Sequence, residues 1–128
     1  MSDNLLPSAP PVPQEYFRVL TAGLKAFGDV QALRGLLSDR LDFTGSIAGH
    51  VPDAKEGFLQ GVIGLIGTVR GIDIIRDVHD DAGSAVLYEA EMPGGTVRFA
   101  EFFTFGDGVI NTLNVHYDGA DYTAKGGR

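Results

Sequence analysis

The sequence predicts an α+β domain in which N-terminal helices pack in a curved antiparallel sheet. Apolar residues recur at helical spacing as far as residue 69, and from Gly71 onward they alternate with a period of two. Turn-like segments then separate four runs that read as strands. The 128 residues suit one domain with one core. We expect a flexible proline-containing arm over 1–13, the folded domain over 14–120 and a C-terminal tail over 121–128.

Two helices and a short strand are predicted in the first part of the chain. The first helix covers 14–27, because Tyr16, Leu20, Leu24 and Phe27 form one apolar stripe. Gly28 can end this helix, and Asp29 can cap a second one with an apolar side. The alternation over 41–44 predicts a short strand, and 45–52 reads as a loop.

A third helix is predicted over 53–69. Its start matches a capping box, with Asp53 followed by Glu56. Glycines recur almost on one stripe, and each costs about 1 kcal/mol of helix stability relative to alanine. Two interpretations stay open: close approach of a backbone or ligand, or glycines that are simply tolerated. The four glycines are Gly57, Gly61, Gly64 and Gly67.

The predicted strands are 72–79, 84–92, 96–105 and 109–118. A three-residue turn with Gly108 in the left-handed conformation pairs Phe105 with Val109. Glu101 then opposes Leu113 on the inner face. A two-residue turn would reverse the pairing of the two faces, because side chains alternate along a strand. The three-residue turn is favoured because it keeps one face apolar apart from Glu101.

The preceding hairpin decides where Glu89 points. A two-residue turn at Pro93 and Gly94 places Tyr88 on the face of Glu101 and sets Glu89 across from Arg98 as an opposite-charge pair. A three-residue turn would instead bring Glu89 inward beside Glu101. The first arrangement is favoured, since it pairs a charge and buries Tyr88.

Glu101 is the main candidate for a functional residue. An acid on an apolar strand face must be paired, protonated or at a wet pocket, because an unpaired buried carboxylate is costly. We therefore expect a pocket for a small, largely apolar ligand, with Glu101 as its polar anchor or as a general acid/base. The expected binding residues are Tyr88, Phe99, Phe103, Leu113, Val115 and Tyr117.

The outer face of the predicted sheet is half apolar, with Ala100, Phe102 and Ile110. Such a face is often buried against another subunit. We expect a homodimer that forms through this face.

Composition excludes several classes of function. The absence of cysteine excludes disulfides and cysteine metal sites, and the net charge of −7 disfavours nucleic acid and anionic membranes as partners. His79 and the neighbouring acids alternate between strand faces, so no metal is expected there. We expect no cofactor. His50 is interpreted as a surface residue. With no signal peptide and no spanning segment in the sequence, a cytoplasmic protein is predicted.

These features together resemble the NTF2-like superfamily, and more narrowly its SnoaL-like members. The resemblance is carried by residues 99–110 (FAEFFTFGDGVI), 115–118 (VHYD), 27–30 (FGDV) and 37–39 (LSD). It covers about residues 14–120. It implies a cone whose curved sheet wraps a long helix, a pocket at the open end, and dimers formed through the outer face.

The resemblance implies a fold more than an activity, because this fold serves unrelated functions. Members include ketosteroid isomerases, epoxide hydrolases, polyketide cyclases and dehydratases. By position, Glu101 matches the isomerase acid that donates to an oxyanion. The isomerase base falls near Thr44 or Gly45 and its helix-one tyrosine near Thr21, and none of these can play that part. Acid–base catalysis by Glu101 and a non-catalytic binding or accessory module both stay open.

Overall fold

The structure is a computed structural model that describes residues 6–27 and 33–127; of 22–27 it describes the backbone alone. The predicted cap at Gly28 and Asp29 lies outside these residues. The elements, in chain order, are α1 (Pro11–Phe27), β1 (Leu37–Gly45), β2 (Gly49–Val51), α2 (Lys55–Thr68), β3 (Gly71–His79), β4 (Gly83–Met92), β5 (Gly95–Gly106), β6 (Val109–His116) and α3 (Gly119–Ala124).

The described strands form one curved, unclosed sheet in the order β2-β1-β6-β5-β4-β3. Every neighbouring pair is antiparallel except β1 and β6, which run parallel. Helices α1 and α2 pack with the inner face, and the buried core lies between them and the sheet. The predicted α+β architecture is therefore confirmed.

Helix α1 begins at Pro11, inside the segment predicted as an arm. Proline is well tolerated in the first helical turn, where backbone N–H groups lack intrahelical acceptors. Leu6 and Ala9, which precede the helix, are buried in the core. Tyr16 and Leu20 are buried as the apolar stripe predicts.

The start of α2 differs from the predicted capping box. Ala54 is the N-cap residue and no side chain caps the helix, while Asp53 has a φ of 49°. The left-handed backbone at Asp53 directs the chain from β2 into the helix. The 45–52 segment, predicted as a loop, contains β2, and β1 is longer than the predicted 41–44 strand.

The β4–β5 hairpin has the predicted two-residue turn, and Met92 pairs with Gly95. Glu89 lies opposite Arg98, and the Arg98 Nη2 is 2.9 Å from the Glu89 Oε2. The prediction of this outer-face pair is confirmed.

The β5–β6 hairpin corrects the predicted register. Asp107 and Gly108 form a two-residue turn with φ values of 54° and 79°, so that Gly106 pairs with Val109 and Phe105 with Ile110. Ile110 therefore faces inward and is fully buried, not on the outer face as predicted.

A β-bulge in β6 then restores the predicted inner face. Asn111 is the extra residue, since Phe105 pairs with Ile110 but Thr104 pairs with Thr112. Glu101 consequently pairs with Val115 rather than Leu113, which lies opposite Phe103. Beyond the bulge, Leu113 and Val115 lie on the inner face as predicted, although their partners are displaced by two positions.

The end of the chain is packed against the sheet, in contrast to the expected tail. Asp118 caps α3 by accepting a hydrogen bond from the backbone of Asp121, and Tyr122 is buried. The Lys125 carbonyl accepts a 3.0 Å hydrogen bond from the Gly94 N–H in the β4–β5 turn. Within 6–27 and 33–127, no helix is both long and apolar enough to cross a bilayer.

Candidate functional site

Glu101 lies at the centre of a buried cluster with two tyrosines. Only 1% of Glu101 is exposed, and its two carboxylate oxygens have different partners. The Tyr16 hydroxyl on α1 donates a 2.9 Å hydrogen bond to Oε1, and the Tyr88 hydroxyl on β4 donates to Oε2. Tyr88 reaches Glu101 diagonally across the strand pair, because Val86 stands directly opposite. Glu101, which was predicted as the only acid on an apolar strand face, is thus paired through two hydrogen bonds.

Burial is the largest cause of the pKa shifts in this cluster. Desolvation raises the pKa of Glu101 above its usual value, although the hydrogen bonds from Tyr88 and Tyr16 act in the opposite direction. Burial and the adjacent Glu101 carboxylate raise the pKa of both tyrosines well above the usual value. The two tyrosine hydroxyls therefore stay protonated, and Glu101 is the group of the cluster whose charge can change with pH.

A cavity of about 600 Å³ adjoins this cluster. Tyr16 and Glu101 both line it, and Glu101 is the only charged side chain among the described lining residues. The walls come from β1, the β1–β2 connection, α2, β5, β6 and the C-terminal segment. Besides Tyr16 and Glu101, they comprise Phe43, Gly45, Ile47, Ala48, Val51, Ala54, Gly57, Phe58, Gly61, Val62, Leu65, Phe99, Val115, Tyr117, Tyr122, Thr123 and Gly127.

The predicted site residues divide into two groups. Those that line the cavity are Glu101, Phe99, Val115 and Tyr117. The others, Tyr88, Phe103 and Leu113, are buried in the core and are not among the lining residues. Phe103 and Leu113 pair two residues farther along the sheet than expected, whereas Tyr88 acts on the site through its hydrogen bond to Glu101.

Tyr16 was not predicted as a site residue and was interpreted as part of an apolar stripe. The resemblance instead placed the helix-one tyrosine near Thr21, whose hydroxyl bonds to carbonyls of its own helix. A buried tyrosine hydroxyl needs a partner, and this requirement was the available signal. The buried Tyr122 was also missed, because its position depends on long-range packing. Of α2, only the glycines had been considered as a place where a ligand could approach closely.

A second polar cluster lies where β3 and β4 pair. The His79 Nδ1 is 2.6 Å from the Ser84 Oγ, and its Nε2 is 2.6 Å from the Asp77 Oδ2. The His79 side chain is only 6% exposed. Asp80 instead accepts hydrogen bonds from the backbone N–H groups of Ala82 and Gly83.

The remaining candidates contribute no catalytic group to the cavity. His50 is exposed, and its Nε2 is 2.9 Å from the Asp42 Oδ1; neither residue lines the cavity. Across the described parts of the chain, no group of three His, Asp or Glu residues could hold a metal ion.

Comparison with solved structures identifies the fold as NTF2-like. A protein from Kribbella flavida superposes with a TM-score of 0.78 and 18% identity, over 92% of this chain and 93% of that one. An NTF2-like protein of unknown function from Cytophaga hutchinsonii gives a TM-score of 0.66 and 16% identity, over 88% and 91%.

A proposed isomerase from Rhodopseudomonas palustris gives a TM-score of 0.69 and 18% identity, over 91% of this chain and 96% of that one. At these identities the likeness establishes the fold alone. No protein-family profile and no curated protein matches the sequence.

Proposed function

We propose that the cavity binds a small, largely apolar ligand and that Tyr16 and Glu101 hold its polar group. The observation that carries this proposal is one buried acid–tyrosine cluster at the wall of a largely apolar cavity, whose other described lining residues with a hydroxyl group are Tyr117, Tyr122 and Thr123. Ligand sites commonly occupy about 300–1,000 Å³ and combine apolar walls with a few placed polar groups. The cavity volume of about 600 Å³ lies within this range.

The hydrogen-bond inventory indicates which polar groups such a ligand would carry. With Glu101 ionised, both tyrosine hydroxyls donate to it. The Tyr16 oxygen, which lines the cavity, can then accept a hydrogen bond from a ligand hydroxyl. With Glu101 protonated, the cluster holds one more O–H group, so one of its hydroxyls can donate a hydrogen bond to a ligand carbonyl oxygen near Tyr16. The raised pKa of Glu101 favours the second state compared with an ordinary exposed glutamate.

Acid–base catalysis by Glu101 is a second candidate, and the raised pKa of the carboxyl group favours it. The proposed isomerase among the structural neighbours is consistent with this chemistry. However, no other carboxylate or histidine is among the described lining residues, so one acid would have to serve as both donor and acceptor. Binding without catalysis needs no further group, and it is the function that the geometry supports best.

Titration with the neutral fluorescent probe N-phenyl-1-naphthylamine tests the binding proposal. We expect saturable binding to the unmodified protein. Val115→Trp should abolish it, because Val115 lines the cavity. Val78→Trp is the matched control, since Val78 is a strand valine that is 64% exposed. Absence of saturable binding to the unmodified protein, or equal effects of the two tryptophans, would refute the proposal.

Glu101→Gln separates the two candidates once a natural ligand is known. A catalytic role predicts that this variant keeps fold and ligand affinity but loses turnover. A turnover equal to that of the unmodified protein would remove Glu101 from catalysis.

The expected homodimer remains part of the proposal. Phe102 and Val78 are 49% and 64% exposed, and both lie next to Ala85 on the outer face, because Ala85 pairs with each of them. We expect sedimentation analysis to give a dimer and Phe102→Lys to give a monomer that still binds the probe. A monomeric unmodified protein would contradict the dimer without affecting the cavity.

A further inference from the structure

Helix α2 presents bare backbone to the cavity at two positions. Gly57 and Gly61 both line the cavity, and their spacing of four residues places them on the same helix face. Four residues correspond to about 6 Å along the helix axis. At these two positions the cavity wall carries no side chain, whereas the neighbouring Phe58 and Val62 of the same helix do line the cavity.

Neither glycine is required by the backbone or by packing. Neither has a positive φ, in contrast to Gly49 and Gly108. A Cβ added at Gly57 or Gly61 would meet no described atom within 4 Å. By comparison, a Cβ at Gly94 would lie 2.8 Å from the Lys125 Cα. Gly94 is therefore needed for a close contact, whereas the two helix glycines face empty space.

Glycine is nevertheless the least favourable residue in a helix interior apart from proline. Alanine at either position would fit without a clash and would stabilise the helix. The structural consequence of having glycine there is a wider cavity. We propose that Gly57 and Gly61 set the upper size limit of the ligand, with part of the ligand seated directly on the α2 backbone. This inference rests on the proposed binding function.

The proposal predicts that stability and affinity change in opposite directions. In Gly57→Ala/Gly61→Ala, the melting temperature should rise by about 2–8 °C, while affinity for N-phenyl-1-naphthylamine should fall severalfold. In Gly61→Leu, a larger side chain enters the cavity, and affinity for this probe should fall at least about tenfold. Binding of phenol, a much smaller probe, should survive in Gly61→Leu when followed by ligand-observed NMR.

Gly67→Ala is the matched control, because Gly67 is an exposed glycine of the same helix and does not line the cavity. The affinity of the Gly67→Ala variant for the naphthylamine probe should stay within twofold of the affinity of the unmodified protein. Unchanged affinity in Gly61→Leu would overturn the size-limit proposal while leaving ligand binding intact. A lower melting temperature in the double alanine variant would also overturn it, because the glycines would then serve packing. Failure of the unmodified protein to bind the probe would instead refute the underlying binding function.

Discussion

The protein contains two polar clusters, one fully buried and one partly buried, that resemble each other in construction and differ in surroundings. Glu101 with Tyr16 and Tyr88, and His79 with Ser84 and Asp77, each join three side chains through two hydrogen bonds. The Glu101 cluster borders a cavity of about 600 Å³, whereas none of the His79 cluster lines it. A cluster of hydrogen-bonded polar side chains therefore does not by itself indicate a binding site. The adjoining space makes the Glu101 cluster the candidate.

Removal of the Glu101 carboxyl group should have the largest effect. Glu101→Ala leaves the Tyr16 and Tyr88 hydroxyls without their acceptor in a buried environment and opens a void. We expect a decrease of about 2–4 kcal/mol in the free energy of unfolding, measured by urea denaturation. A stability equal to that of the unmodified protein would mean that desolvation of the carboxylate cancels its hydrogen bonds.

Substitutions of the two tyrosines should have similar effects on stability and different effects on ligand binding, because only one tyrosine borders the cavity. Tyr88→Phe and Tyr16→Phe each remove one donor to Glu101, and each should cost about 1–2 kcal/mol of unfolding free energy. Tyr16 lines the cavity and Tyr88 does not. Only Tyr16→Phe should therefore also lower the affinity for probes that carry a hydroxyl or carbonyl group. Equal effects on such probes would argue against direct contact with Tyr16.

The raised pKa of Glu101 predicts a particular dependence of stability on pH. The folded protein binds this proton more tightly than the unfolded chain, whose pKa is near the model-peptide value. The contribution of Glu101 to stability is therefore fully present below the unfolded pKa. It declines as pH rises toward the folded pKa, by about 1.4 kcal/mol per unit of pKa difference.

Urea titrations across this pH range should show the decline in the unmodified protein and its loss in Glu101→Gln, which cannot ionise. If both proteins lose stability in parallel, the decline comes from other groups. An increase in stability over the same range would mean that the tyrosine hydrogen bonds outweigh burial.

The His79 cluster should give the smallest effect. Ser84→Ala removes one hydrogen bond to His79 from a buried position, at a cost of about 1 kcal/mol in unfolding free energy. Affinity for the naphthylamine probe should not change, because the cluster does not border the cavity. Loss of probe binding in this variant would remove the distinction between the two clusters.

The two hairpins show how far local sequence could be used to predict the sheet. The β4–β5 pairing was predicted correctly, because its turn and the Glu89–Arg98 pair are both encoded within a few residues. The β5–β6 pairing was not, because the bulge at Asn111 has no local signal in the sequence. Beyond the bulge the inner face was still predicted correctly, since burial of Leu113 and Phe103 constrains the strand more strongly than the turn does. Before the bulge it was not, because Ile110 faces inward.

The sequence alone determined the fold class and the isolation of Glu101 on an apolar strand face, because both follow from periodicity and local charge. Only the tertiary structure decided what Glu101 contacts. Tyr16 is 85 residues away in the chain, and the cavity exists because α1, α2 and the C-terminal segment pack around the curved sheet without filling it. Sequence periodicity identifies which side chains face inward, whereas their long-range partners and the space left between them depend on how the elements pack.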